Sequence, residues 1–147
     1  MFVRNFSEGE QPASCAAREH DTFHYLIEYR FVMQLYNWER IAEERMSATI
    51  SRKVIHCETI TIARIHLQKG ALVPLHSHIN EQITMLERGK LRFVIAGEQK
   101  TLNGGETLQI PPNAPHLVEA LEESWATDLF SPVREDWIRG DDAYLRR

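Results

Sequence analysis

The stretch from Gly70 to Gly89, GALVPLHSHINEQITMLERG, decides how the rest of the chain is interpreted. His76 and His78 are separated by one residue, and Gln82 follows four positions after the second histidine. Residues of equal parity share one face of a β-strand, so an extended backbone would point these three side chains the same way. Imidazole nitrogens and a carboxamide oxygen on one face predict part of a metal site, and His116 is the candidate for the fourth ligand.

Composition limits the classes of protein to which the chain can belong. It has 147 residues, 43% of them hydrophobic and 26% charged, and a formal net charge of −4. This is ordinary for one soluble globular domain, and it provides neither a basic surface for nucleic acid nor a polybasic arm for a membrane. No apolar run approaches the roughly 20 residues that a spanning helix needs. Because Cys15 and Cys57 form neither a disulfide framework nor a CxxC pair, we expect a cytoplasmic location.

Short β-type segments follow one another from residue 49 to residue 130. They are rich in β-branched residues or alternate between apolar and polar, and turn signals such as Asn103-Gly104-Gly105 separate them. Strands are predicted over residues 54–57, 59–67, 72–78, 82–86, 91–95, 99–102, 107–110, 116–121 and 125–130. Many short strands at even spacing predict an all-β sandwich or barrel, whose interior can hold one small ligand.

The two ends of the chain do not follow the strand pattern of its middle part. Residues 1–21 are polar and predict a loosely held arm, and the alternation from Phe23 to Phe31 predicts an edge strand, with a short helix as the alternative. Residues 38–45 have helical composition and predict one or two helical turns. We therefore expect an N-terminal extension over residues 1–36, a barrel over 37–134 and a polar C-terminal tail over 135–147, with a helical turn near Trp137.

At this point the chain resembles the cupins, which are small β-barrels of jelly-roll type. Their motifs are G(x)5HxH(x)3–4E(x)6G and G(x)5PxGxxH(x)3N. The matching residues here are Gly70, His76, His78, Gly89, Gly105, Pro111 and His116, with Gln82 in place of glutamate, Asn113 in place of glycine and Ala120 in place of the last asparagine. Asn113 is an intelligible replacement, because asparagine adopts left-handed backbone conformations more readily than most residues. The resemblance implies a cupin-type jelly roll that holds one divalent transition metal (Zn, Mn, Ni or Fe).

A shorter similarity points to one group within the cupins. The segments HSHINEQ, IPPNAPH and DLFSPVR resemble single-domain cupins that include the bacterial pectin-degradation cupins, which convert unsaturated uronates to linear keto forms. In that group an aspartate, a phenylalanine and an arginine on the last strand and its exit matter for activity, and they match Asp128, Phe130 and Arg134. The resemblance implies that Asp128 moves a proton, that Arg134 clamps a carboxylate, and that Phe130 and Phe93 line the lumen.

Two alternatives stay open for the charged residues of this set. Asp128 could instead pair with an arginine or cap a turn, and Arg134 could form an ion pair with the Glu135-Asp136 region. For each of these two residues, spacing alone does not distinguish the functional role from the structural one.

These expectations lead to a metal-dependent enzyme that ketonises or isomerises a small, oxygen-rich sugar acid. The alternatives are a metal-dependent dioxygenase of cupin type, a carbon–carbon lyase on the same scaffold, and a non-catalytic module that binds or senses a sugar, since the fold alone cannot choose among them. Because isolated cupin barrels often pair and Phe23–Phe31 offers an apolar edge, we expect a homodimer. We expect a small-molecule partner and no nucleic-acid or membrane partner.

Overall fold

Strands make up about half of the described residues. The computed structural model describes residues 33–146, and every element named below lies in the unit that begins at Tyr36. In these residues the strands are β1 Glu44–Arg45, β2 Ile50–His56, β3 Thr61–Leu67, β4 Leu72–His76, β5 Glu81–Arg88, β6 Lys90–Ile95, β7 Glu98–Asn103, β8 Thr107–Ile110, β9 His116–Ala120 and β10 Ser124–Ser131. Helix α1, Glu135–Arg139, and a 3-10 helix, Ala143–Leu145, follow. The predicted arm and the predicted strand from Phe23 to Phe31 lie outside the described residues.

The strands form two antiparallel sheets. One sheet has the order β1-β2-β3-β10-β5-β8 and the other the order β4-β9-β6-β7. The chain passes from one sheet to the other between β3 and β4 and returns between β4 and β5, which is the pattern of a jelly roll rather than of a simple meander. The all-β jelly-roll prediction is therefore confirmed.

The core lies between the two sheets, and the period-2 pattern of the strands decides what enters it. Along β10 the even-numbered residues are buried, from Ser124 through Ala126 and Asp128 to Phe130. The main apolar cluster consists of Met46, Ile50, Leu67, Ala71, Leu86, Leu91, Phe93, Leu102, Ile110, Val118, Ala120 and Ala126. Since β10 is paired with β3 on one side and β5 on the other, the parity that buries Ala126 also places the carboxyl group of Asp128 inside the barrel.

The predicted helical turns over residues 38–45 are wrong. Residues 38–40 form a hydrogen-bonded turn, in which the Arg40 amide donates to the carbonyl oxygen of Asn37 at 2.9 Å. Glu44 and Arg45 then form β1, paired with Arg52 and Ser51 of β2. Helix propensity is a weak preference of a few tenths of a kcal/mol per residue, and pairing with an existing sheet overrides it.

The segment predicted as a polar C-terminal tail packs against the barrel. The predicted helical turn near Trp137 is present as α1, which ends at Gly140 in the left-handed conformation (φ 80°). The Trp137 ring lies between two guanidinium groups, with the Cζ atoms of Arg52 and Arg134 each 4.2 Å from the ring centroid. Asp142 is fully buried. No helix in residues 33–146 has the length and apolar character needed to cross a membrane.

Gly89, which joins β5 to β6, is the glycine that the packing tolerates least. Its φ is 98°, and a Cβ atom added there would lie 2.3 Å from the Oγ atom of Ser124 and 2.4 Å from the carbonyl oxygen of Glu123. Gly97, in the β6–β7 turn, has a similar φ of 85° but no atom within 4 Å of the added Cβ.

These two glycines separate backbone strain from steric clash. We expect Gly97→Ala to lower the free energy of unfolding by about 1–2 kcal/mol, the cost of strain alone. Gly89→Ala should cost roughly 3 kcal/mol or more, because the clash adds to the strain. Urea denaturation of both variants measures the difference, and equal losses would contradict the predicted clash.

Candidate metal centre

Three histidines meet at one end of the lumen. His76 is the last residue of β4, and His116, the first residue of β9, is its partner in the sheet register. His78 lies in the loop that follows β4. The ligand nitrogens of the three side chains all lie within 4.8 Å of one another, and the ring centroids of His76 and His116 are 4.2 Å apart. The histidines from the two sequence motifs therefore form one cluster.

His78 reaches this cluster by a different route from the one that the sequence suggested. The predicted strand over residues 72–78 ends at His76, so alternation along one strand does not place His78. Instead, buried Asn80 anchors the loop: its side-chain amide donates to the carbonyl oxygens of Pro132 at 2.5 Å and Val133 at 3.3 Å. Sequence analysis missed Asn80, although an asparagine in a short loop between two candidate ligands was a usable signal.

Each histidine has its Nδ1 atom fixed by the backbone. The Nδ1···O distances are 2.8 Å for His76 to Pro74, 3.0 Å for His78 to Asn80 and 2.8 Å for His116 to Ala114. A carbonyl oxygen only accepts hydrogen bonds, so Nδ1 carries the proton and Nε2 keeps its lone pair. This is the arrangement that orients a histidine ligand for a metal ion.

The three imidazoles are neutral at neutral pH. Burial, followed by the charge of His116, lowers the pKa of His76 to about 4. Burial, followed by the charge of Arg134, lowers the pKa of His78 to about 4. Burial also lowers the pKa of His116 below its usual range. Three Nε2 lone pairs are therefore available without any prior loss of a proton.

Gln82 adds a carboxamide oxygen to the same site. Its Nε2 atom donates to Thr84 Oγ1 at 3.0 Å and to Asp128 Oδ2 at 3.1 Å, which fixes the orientation of the amide. Its Oε1 atom consequently faces His78 Nε2 at 3.1 Å. With the His78 proton on Nδ1, two lone pairs face each other without a hydrogen between them, and a cation coordinated by both atoms removes that repulsion. The residues therefore fit a divalent transition metal with three imidazole nitrogens and one neutral oxygen.

Asp128 is a buried carboxyl group next to this cluster. Its Oδ2 atom accepts from Gln82, and its Oδ1 atom is buried with no hydrogen-bond partner among residues 33–146. Burial raises the pKa of Asp128 to about 6, against the opposing effect of hydrogen bonds from Thr84 and Gln82. No ion pair of Asp128 with an arginine is found in the described part of the chain. The carboxyl group therefore changes protonation state near pH 6, and in the described residues one of its oxygens has no hydrogen-bond partner.

Arg134 forms the ion pair that the sequence left open as an alternative, but in the interior rather than on the surface. Its Nε and Nη2 atoms donate to the two carboxylate oxygens of Asp136 at 2.9 and 2.6 Å, and Nη2 also donates to the Tyr144 hydroxyl oxygen at 2.9 Å. The guanidinium group lies over the rings of Phe130 and Trp137. Arg134 is thus held rigidly, with the Tyr144 hydroxyl as one of its acceptors.

A cavity of about 50 Å³ lies beside the histidine cluster and is lined in part by the C-terminal segment. Its walls include His76, Gln82, His116, Asp128, Phe130 and Arg134 from the predicted set, together with Trp137 and Tyr144. Two buried polar atoms without partners, Asp128 Oδ1 and Trp137 Nε1, belong to residues of this wall. Since a water molecule takes up about 30 Å³ in the liquid, the cavity has room for a water-sized polar group and not for a sugar ring.

Phe93 lines a second small cavity deeper in the barrel, of about 40 Å³, together with Thr84 and Asp128. A larger cavity of about 290 Å³, lined by Trp38 and Trp125 among others, includes none of the predicted site residues. Cavity volume alone would therefore not have located the site at the histidines. The convergence of donor atoms is the stronger indication of a site.

Comparison with known proteins agrees with this geometry. Residues 63–130 match the family model described as Cupin domain. This part of the chain has a cupin fold. The match contains the histidines of both motifs as well as Gln82 and Asp128. No curated protein matches the chain by sequence.

Solved cupin structures share the fold. KdgF from a Halomonas species is 26% identical, with a TM-score of 0.68 over 72% of this chain and 99% of that one. An RmlC-like cupin from Shewanella frigidimarina is 23% identical, with a TM-score of 0.67 over 72% of this chain and 96% of that one. Bacillus subtilis oxalate decarboxylase, a protein with Mn(II) centres, is 18% identical, with a TM-score of 0.59 over 69% of this chain and 31% of that one. The shared fold is thus one in which a related structure holds a transition metal.

The buried carboxyl group of Asp128 predicts a measurable cost to stability. Its folded-state pKa of about 6 is above the ordinary value of 3.8, so the folded protein binds more protons than the unfolded chain between these values. Stability is therefore lost as the pH rises through this range, by about 3 kcal/mol once the pH is well above 6. We expect Asp128→Asn to stabilise the metal-free protein at pH 8, with a gain that shrinks as the pH falls from 6 towards 4.

Urea denaturation in the presence of a chelator, at several pH values, measures this gain against the wild type. The matched control is Asp141→Asn, because the Asp141 carboxylate is exposed and, among residues 33–146, pairs with Arg139 alone. Its effect should stay within about 0.5 kcal/mol at every pH. A variant at Asp128 that is no more stable than the wild type at pH 8 would show that the carboxyl group is not destabilised in the folded state.

Proposed function

We propose that the protein is a metal-dependent cupin enzyme that ketonises or isomerises a small sugar acid. The observation that carries the proposal is the pair formed by Gln82 and Asp128. One amide links the histidine cluster to a buried carboxyl group whose second oxygen has no partner. Similarity to KdgF, a pectin-degradation cupin, supports the choice of an unsaturated uronate as the substrate.

The metal would be held by the Nε2 atoms of His76, His78 and His116 and by Oε1 of Gln82. When bound, a divalent ion supplies Lewis-acid polarisation of a substrate oxygen. The ion would keep its full charge, because none of the four ligands is anionic. Zn, Mn, Ni and Fe all suit a site of imidazole nitrogens with one neutral oxygen.

Asp128 would carry the proton transfer. Ketonisation of a cyclic unsaturated uronate, in which the enol oxygen is the ring oxygen, adds one proton to the alkene carbon, removes one from the hemiacetal hydroxyl and breaks the ring C–O bond between the hemiacetal carbon and the enol oxygen. Protonated Oδ1 can donate to the carbon, and the resulting carboxylate can accept the proton from oxygen, which returns Asp128 to its starting state. A pKa near 6 suits both halves of this exchange, and the hydrogen bond from Gln82 to Oδ2 leaves Oδ1 as the reacting atom.

Arg134 would bind the carboxylate of the substrate. Its guanidinium group lies in the cavity wall, and its pKa is above the usual value despite burial, because Asp136 and Tyr144 bind it. Phe130 and Phe93 form apolar parts of the walls, where they would exclude water from the reacting atoms. A low-dielectric site strengthens the interaction between the guanidinium group and an anionic ligand.

We also propose a cytoplasmic homodimer. In the described residues β4 is the edge strand of its sheet, and the side chains of Leu72 and Leu75 on it are 51% and 68% exposed. An exposed edge with apolar side chains is the kind of surface that proteins cover by pairing. Light scattering on the full chain gives the mass directly, and a monomer at all concentrations would exclude the dimer.

The function is tested on protein purified without added metal. Elemental analysis by mass spectrometry should find one divalent transition metal per chain. Addition of unsaturated uronate, followed by NMR, should then show loss of the cyclic form faster than in buffer. Asp128→Asn should lower the rate by about 10²–10⁴-fold, the usual contribution of a general acid-base group. Asp141→Asn should keep the wild-type rate.

The same samples separate the alternatives. A dioxygenase would consume oxygen during turnover, whereas ketonisation needs none. A sugar-binding module would show saturable binding without turnover. If the metal-loaded protein converts the unsaturated uronate no faster than buffer alone, the proposed activity is wrong.

A further inference from the structure

Tyr144 joins the two halves of the proposed site. Its ring stacks on His76, with the centroids 4.6 Å apart and the planes 26° apart. Its hydroxyl oxygen accepts a hydrogen bond from Arg134 Nη2 at 2.9 Å. One side chain from the C-terminal segment therefore covers a histidine of the cluster and occupies the arginine proposed to bind a carboxylate. Nothing in the sequence signalled this, because Tyr144 lies in a polar stretch without a motif.

The cavity beside Tyr144 is too small for the proposed substrate. It measures about 50 Å³, whereas pockets for small organic ligands are usually about 300 Å³ or more. Asp128 and Phe130 lie on β10, which is held by strands on both sides. Tyr144 and Leu145 are the wall residues that come from the short 3-10 helix after α1. Movement of this helix is consequently the least costly way to make room.

Charged side chains hold this helix in place. We call residues 142–146 the C-terminal latch. Asp142, fully buried in it, accepts from Arg52 Nη2 at 2.5 Å and from Arg146 Nε at 2.8 Å. The backbone hydrogen bonds of Leu145 and Arg146 are both made within the latch. The latch is thus attached to the barrel by the ion pair with Arg52 of β2 and by the packing of Tyr144 on His76 and of Leu145 on the core, rather than by a ladder of backbone hydrogen bonds.

We propose that Tyr144 is the gate residue of the substrate site: its hydroxyl holds the place on Arg134 that a ligand carboxylate takes when the latch moves away from Arg52. This proposal depends on the proposed function only in its choice of a carboxylate as the ligand. Opening of the latch does not depend on the reaction that follows.

Release of zinc from the zinc-loaded full chain tests the gate without any substrate. Excess chelator is added, and the appearance of the zinc–chelator complex is followed by absorbance. Breaking a buried ion pair strongly destabilises the contact, so Asp142→Asn should release zinc about tenfold faster or more. Tyr144→Ala should also release it faster. Asp141→Asn is the matched control and should behave as wild type. Equal rates for Asp142→Asn and Asp141→Asn would overturn the gate.

Hydrogen exchange on the metal-free chain distinguishes local opening from general destabilisation. In Asp142→Asn the amides of residues 142–146 should exchange faster while those of β3, β5 and β10 keep their wild-type rates. An equal increase in all segments would show that the ion pair only stabilises the fold, and would overturn the proposal. If Asp142→Asn does not fold, the exchange and zinc measurements on Tyr144→Ala decide the question.

Binding of D-glucuronate tests the exchange of hydroxyl for carboxylate. Tyr144→Phe keeps the ring and removes the competing acceptor, so Arg134 is left with an unsatisfied donor. Titration calorimetry should show that this variant binds glucuronate about three- to tenfold more tightly than wild type, the effect of one hydrogen bond. D-glucose, which has no carboxylate, should show no such difference. Equal affinity for glucuronate, or no binding to either protein, would overturn the assigned role of the hydroxyl. The zinc-release and hydrogen-exchange results do not depend on whether the protein turns over a uronate.

Discussion

The hydrogen bond from Gln82 to Asp128 is the interaction on which the site depends. A carboxamide has a donor end and an acceptor end, and here the donor holds Asp128 while the acceptor faces His78. A glutamate at position 82 could not donate, and it would place two buried carboxyl groups within about 3 Å of each other, where both cannot be ionised. Glutamine in place of the usual glutamate is therefore the residue that the carboxyl group of Asp128 requires. The replacement links the histidine cluster to the carboxyl group that we propose as the proton carrier.

Holding the carboxyl group of Asp128 inside the barrel lowers the free energy of unfolding, and the rest of the fold tolerates this loss. Asp128 interrupts an interior that is otherwise mainly apolar, between Ala126 and Phe130 on the same face of β10. It cannot turn towards solvent, because the register with β3 and β5 fixes the parity of the strand. A local departure from good packing, held in place by paired strands on both sides, is typical of functional sites. The same rigidity keeps the reacting oxygen at a fixed distance from the histidine cluster.

Local sequence patterns correctly predicted the features that depend on hydrophobic periodicity and on turn residues. The strand over residues 107–110 has the predicted bounds, and Asn113 has the positive φ (62°) expected from its place in the motif. Contacts between distant residues account for the errors. Pairing with β2 replaced the predicted helical turns at 38–45, and Asn80 ended the first histidine strand early by binding the exit of β10. The predicted polar tail contains buried Asp142, whose partner, Arg52, is 90 positions away and could not be found from local sequence.

The charge balance of the site explains why a neutral ligand set and a buried arginine occur together. A divalent ion on four neutral ligands would keep its full charge, and Arg134 adds another positive charge to the same lumen, while Asp136 and, above pH 6, Asp128 each offset one of them. The remaining positive charge favours an anionic ligand, and burial strengthens that preference because few water molecules screen it. In the closed form the Tyr144 hydroxyl provides only a dipole to Arg134. A carboxylate provides a full negative charge, so the ligand that the lumen attracts is also the one able to displace the tyrosine.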